Sequence, residues 1–297
     1  ALTDSLDASF RAGTVPAGSF VTGMSTLLGH PDWDVAEMAM DKLEGISDII
    51  DSEDLERVMP ALRNMVRPRF QSLENANDEG SILLRKRMQR FLIVVAKDPE
   101  MRKALAQRAS ARIGLDGEAD LSAISVEEME TAFSVGVQDF GEPFFDLLME
   151  QGLASNDPAF RNAAFGALAR TEDPLLSGKL QTSILAEKFQ GTEPFGIIFR
   201  QMARNATTEL TYQWMKENDE AIFELIPLSY RGNVVPAFGS FFCSLEKADE
   251  WQAFIESRAE VMPGYERDLA QAVESVRLCA ALKDARGEDL LAALLAQ

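Results

Sequence analysis

The chain has one histidine, His30, among 297 residues, and only two cysteines. A single imidazole excludes any metal centre built from two. That includes His-Glu-x-x-His, in which histidines one helical turn apart meet zinc while the glutamate acts as base. His30 precedes Pro31-Asp32-Trp33 in a turn, where a surface or capping role fits it. No Gly-x-Ser-x-Gly elbow supports a nucleophilic triad around it. There is no glycine-rich phosphate loop and no calcium-loop spacing. Long apolar runs are missing as well. The longest, residues 91–96 between Arg90 and Lys97, falls far short of the roughly 20 residues that span a bilayer. Positive charge is scarce: 29 basic residues face 48 acidic ones, a net charge of −19. Nucleic acid is therefore not an expected partner, because its binding is driven by neutralising phosphates. The opening stretch is acidic and amphipathic, unlike a signal peptide.

What remains is helix. Apolar residues recur at three- and four-residue steps, as in Tyr265, Leu269, Ala272, Val273, Val276 and Ala280, one stripe on a 3.6-residue period. The pattern predicts helices at 16–29, 32–50, 53–70, 79–97, 99–113, 125–138, 142–153, 158–170, 174–188, 194–205, 208–225, 232–242, 245–260, 264–283 and 287–296. Asp98-Pro99, Asp157-Pro158 and Asp173-Pro174 each place an acceptor at the N-cap and a proline at N1, where no N–H is missed. Ser125 with Glu128 reads as a capping box. Gly114, Gly152 and Gly191 read as stops. No period-2 run long enough for a sheet occurs.

Helices joined by short turns pair into antiparallel hairpins. About seven such hairpins, stacked side by side, make an all-α fold: an irregular, bowl-shaped α-solenoid of the HEAT or armadillo kind. The expectation is one helical domain over 1–297, with a sub-division near 115–124. There Asp116, Gly117, Glu118 and Asp120 suggest a mobile loop.

The local basic runs, Arg85, Lys86, Arg87 and Arg90, then Arg102, Lys103, Arg108 and Arg112, are read as pairing with acids such as Asp41, Glu44, Asp51, Glu53 and Asp54. A domain contact is the alternative. Glu127, Glu128 and Glu130 sit in a first helical turn, where carboxylates suit the macrodipole. Asn205-Ala206-Thr207 is a glycosylation sequon, relevant only to a eukaryotic secretory protein. Cys243 and Cys279 fall at similar distances either side of the turn at 262–264. They read equally as neighbouring buried thiols or as a disulfide. The latter implies an oxidising compartment, periplasmic or secreted, and the former a cytoplasmic one.

The run from Arg161 through Phe165-Gly166-Ala167-Leu168-Ala169-Arg170 to Asp173-Pro174 resembles a helix-and-turn of the aminopeptidase N family. The likeness is to its C-terminal helical domain, of the endoplasmic-reticulum aminopeptidase kind. Ala203-Arg204-Asn205, Tyr212-Gln213-Trp214 with Asn218, Phe242-Cys243-Ser244 through Trp251 and Phe254, and Leu269–Glu274 are similar to later parts of the same domain. One departure stands out: that family often carries Gly-Arg before its tryptophan, where this chain has Ala206-Thr207-Thr208-Glu209.

The resemblance implies a domain that caps the active-site cavity of a zinc aminopeptidase. The enzyme's β-rich and zinc-bearing catalytic domains are absent from this chain and would be its partners, with peptide as the substrate. No catalytic or metal-ligating residue is then expected here. Arg200 and Arg204, four residues apart on one helical face, are the candidate peptide contacts, with interhelical salt bridges as the alternative. A stand-alone HEAT-like binding scaffold is the competing function.

Overall fold

The computed structural model describes residues 2–297 except Glu187, and at Ser47 and Asp48 the backbone only. The described residues are helical throughout, with no strand among them. The chain forms two compact units.

The first unit comprises Ala1–Met101 and Leu278–Gln297. It holds α1 (Leu2–Arg11), α2 (Ala17–Leu28), α3 (Trp33–Glu44), α4 (Ser52–Ser72) and α5 (Glu79–Val94). Helix α1 packs on α2 and α3, α2 on α4, and α5 on both α3 and α4. The core they enclose includes Phe10 stacked on Phe20 at 4.4 Å, together with Met24, Met40, Leu43, Val58 and Phe91. Arg87 pairs across to Asp41 and Glu44, both at 2.7 Å, the interhelical pairing expected of the run, whereas Asp51 and Asp54 pair with Lys283 and Arg57 instead. Arg85 instead lies over the Phe70 ring.

The second unit is continuous, Arg102–Arg277. It takes in most of α6 (Pro99–Ile113), then α7 (Met129–Phe140), α8 (Glu142–Ala154), α9 (Pro158–Leu168), α10 (Pro174–Leu185) and α11 (Glu193–Met202). The series goes on with α12 (Thr208–Glu217), α13 (Asp219–Leu225), α14 (Leu228–Ala237), α15 (Leu245–Glu256) and the start of α16 (Glu266–Leu295). Packing here is local: α7 on α8 and α9, α8 on α9, α9 on α11, α10 on α12, α11 on α12. In these pairs a helix meets its next or next-but-one neighbour, as the short connections require, while α11 also meets the single turn Phe238–Phe241 that follows α14.

The Asp-Pro starts form as their chemistry dictates. Asp157 accepts from Ala159 N at 2.9 Å, Asp173 from Leu175 N at 2.8 Å, and Asp98 from Glu100 N and Met101 N. Ser125 and Glu128 do not make the reciprocal box. The serine hydroxyl donates to the glutamate carboxylate at 3.0 Å, and Arg108 binds that carboxylate from α6. The acidic segment that follows Gly114 (φ +74°) is tied to α6: Asp120 N donates to Ala111 O and Arg108 Nε to Ala123 O, both at 2.9 Å.

Four helix readings differ from the structure. Helix α1 was not among the predicted helices; its apolar stripe is only Leu2, Leu6 and Phe10, too short to stand out. The predicted helix 208–225 breaks at Asn218, whose side-chain amide donates to Trp214 O at 2.8 Å and ends α12. The helices predicted at 264–283 and 287–296 are one, α16. Gly287, which marks the expected break, is a close-approach glycine: a Cβ there would stand 2.8 Å from Ile49 O. Gly152 likewise lies inside α8 against Phe165 rather than ending it.

Candidate functional site

The one arginine of α9 explains itself from the inside out. Arg161 is 4% exposed, and a buried guanidinium survives only if its donors are used. Its Nε and Nη2 form a fork on Glu193 at 2.8 and 2.7 Å. Nη1 donates to Gly152 O at 2.9 Å and Ser155 O at 3.2 Å, carbonyls that the end of α8 leaves without helical partners. The Phe165 ring lies 4.9 Å from the guanidinium carbon. Glu193 opens α11, so one side chain joins α8, α9 and α11. Burial pushes the Glu193 carboxyl up, but the hydrogen bonds from Arg161 and from Gln190 N, with the arginine's charge, together hold it below its ordinary range.

One turn further along α9, Gly166 leaves room for a carboxylate. A Cβ at Gly166 would stand 2.9 Å from Glu130 Cδ. Glu130, in the first turn of α7, accepts from Arg170 at 2.9 Å and faces Arg200 Nε at 3.6 Å. Arg102 binds Asp139 at 2.6 Å and Gln138 at 3.0 Å, and Gln138 in turn donates to Arg170 O at 3.0 Å. Arg204 Nη1 stands 3.9 Å from Glu172 Oε1, beyond hydrogen-bond reach. Its pKa is lowered, first by burial and then by the like charge of Arg102, against the pull of Glu172. Four guanidinium groups thus gather among Glu130, Asp139 and Glu172, all within the second unit.

Arg200 lies on α11, which ends at Met202, so Arg204 falls beyond it and the two do not share the helical face expected of them. Gln201, beside Arg200, has no exposed surface. Its amide donates to Ser177 Oγ at 2.8 Å and its carbonyl accepts from Gln181 at 3.3 Å. This buried polar network pins α11 to α10 and so fixes where the two arginines emerge. The sequence reading singled out Arg200 and Arg204, and the structure brings both beside acidic residues of other elements. It missed Arg102, Arg170 and their shared acids. Arg170 lies within the recognised run, which was the one available signal.

Both cysteines, Cys243 and Cys279, are disulfide-bonded. His30 accepts from Asp32 N at 3.1 Å through Nδ1, a turn-capping bond. Among the described residues no group of three or more His, Cys, Asp or Glu side chains could hold a metal ion. The residues present do not fit a zinc site. No helix among them is long and apolar enough to cross a membrane.

The later stretches of the resemblance are core. Tyr212, 1% exposed, meets Phe242 at 5.2 Å and Trp251 at 5.7 Å, and burial pushes its hydroxyl up to about 12. Trp251 Nε1 donates to Pro236 O at 3.0 Å. In place of Gly-Arg, Thr207 and Thr208 turn the chain into α12 by donating to Gln201 O and Met202 O.

The profile of the ERAP1-like C-terminal domain matches residues 1–278. The chain belongs to that family. It is thereby a C-terminal domain of the ERAP1-like aminopeptidases, and the all-helical fold agrees with that membership. No curated protein sequence matches it. The ERAP1-like domain spans both compact units and stops where the second half of α16 begins.

Proposed function

We propose that this ERAP1-like domain forms the wall and cap of the active-site cavity of a zinc aminopeptidase, controlling which peptides reach catalytic domains carried elsewhere in the enzyme. The single observation that carries the reading is the family match over residues 1–278. The ladder of neighbouring and next-neighbouring helix contacts in the second unit supports the stacked-hairpin arrangement, whose concave face suits an extended chain.

Within it, Arg200 and Arg204 contact the peptide away from the scissile bond. A guanidinium held without a close carboxylate partner, as Arg204 is, favours an anionic group such as a peptide's terminal carboxylate. The acidic chain as a whole draws in the cationic amine at the other end. The disulfide supports an oxidising compartment, periplasmic or extracellular.

The test is kinetic. In the whole aminopeptidase, Arg204→Ala and Arg200→Ala raise KM for peptides of eight or more residues while leaving aminoacyl chromogenic substrates untouched. Unchanged KM for the long peptides refutes the contact. A chain with no upstream zinc-binding domain in its reading frame is a binding scaffold instead.

A further inference from the structure

The second half of α16 lies past the family-matched residues, yet it belongs to the first unit. Residues 283, 286, 287, 290 and 294 fall on one face of the helix at three- and four-residue steps. Leu290 and Leu294 have no exposed surface and sit in the same apolar cluster as Phe10, Phe20, Met24 and Val58. Arg286 Nη2 donates to Val15 O at 2.9 Å, and its guanidinium lies 5.0 Å from the Phe10 ring. Lys283 pairs with Asp51 at 2.5 Å. Gly287 sets the closeness of the approach. Any Cβ there meets the Ile49 backbone carbonyl at 2.8 Å, an atom that cannot swing aside.

We propose that residues 283–297 are a clasp whose docking completes the first unit, while the continuous second unit forms without it. The first unit draws its core from both ends of the chain. Its folding therefore requires closure of a very long loop, whose entropic cost must be met before the contacts form. During synthesis the α1–α5 layer stays open over the positions of Leu290 and Leu294 until those residues emerge. The second unit has by then acquired all its own helices.

Hydrogen exchange read by mass spectrometry on the full chain tests this without reference to the peptidase reading. Gly287→Val and, as a milder probe, Leu294→Ala are compared with wild type. The clasp predicts at least tenfold faster exchange in 17–28 and 52–72, with 129–140, 158–168 and 208–217 unchanged. If Gly287→Val does not yield folded protein, Leu294→Ala decides alone. Equal acceleration in both units, or no acceleration in the first, overturns the proposal.

Discussion

The Glu130 carboxylate rests on the bare backbone of Gly166, close enough that a Cβ at Gly166 would stand 2.9 Å from Glu130 Cδ. That contact joins α7 to α9 and holds the acid that Arg170 and Arg200 share. Gly166→Ala must displace Glu130 from both arginines. The atom met is the far end of a flexible side chain, so the loss is that of the displaced ion pairs, about 1 kcal/mol, measured as a shift in urea midpoint. Glu130→Gln, which keeps the shape and loses the charge, should leave α9 packing intact while freeing Arg200. If Gly166→Ala matches wild type in stability, Glu130 is not held where the geometry places it.

Arg161 gives the largest single loss in the second unit. Removing it takes the fork from Glu193 and leaves the buried and part-buried carbonyls at the end of α8 without their charged donor. Breaking a buried pair in this way costs about 3–5 kcal/mol. Arg161→Lys should rescue little, because a single ammonium cannot fork onto Glu193 and reach the carbonyls together. Chemical denaturation of both variants checks this, and full rescue by lysine would contradict it.

The disulfide contributes through the unfolded state. Its loop closes between Cys243 and Cys279. The chain-entropy relation for a loop of that length gives about 4 kcal/mol. Reduction, or Cys243→Ser with Cys279→Ser, should lower Tm by roughly 10 °C. A Tm indifferent to reductant would show that the bond does not constrain the chain.

Acid should loosen the joint between α6 and α7. Hydrogen bonds from Arg108 hold the Glu128 carboxyl below its ordinary value of 4.5, helped by Ser125. A depressed folded pKa means the unfolded state takes up the proton first. The stabilisation is therefore complete above pH 4.5 and is lost as pH falls through the lower folded value. Arg108→Gln should move the Glu128 titration, followed by carboxyl NMR, upward toward 4.5. An unmoved titration contradicts the assignment of Arg108 as the cause.

Helix identity was legible in the sequence wherever an apolar stripe ran for three turns and an Asp-Pro pair marked its start. Asp157 and Asp173 cap as read. Glycine was ambiguous, because the same residue serves as a stop and as a surface for close approach. Gly114 ends α6, but Gly152 and Gly287 lie inside helices against Phe165 and Ile49, partners that only the fold reveals. The same limit applies to the candidate site. Spacing alone puts Arg200 and Arg204 on one helix, but α11 ends at Met202, before Arg204. Glu130, Arg102 and Arg170 reach them from distant elements, and no local pattern announces a pairing across helices.

The central claim is that this ERAP1-like domain binds peptide through its arginine cluster. Fluorescence anisotropy on the isolated chain, with one labelled ten-residue peptide as free acid and as C-terminal amide, tests it most directly. The account predicts that the free acid binds at least tenfold more tightly and that Arg204→Ala abolishes the difference. Equal affinity for acid and amide, unchanged by Arg204→Ala, would contradict it.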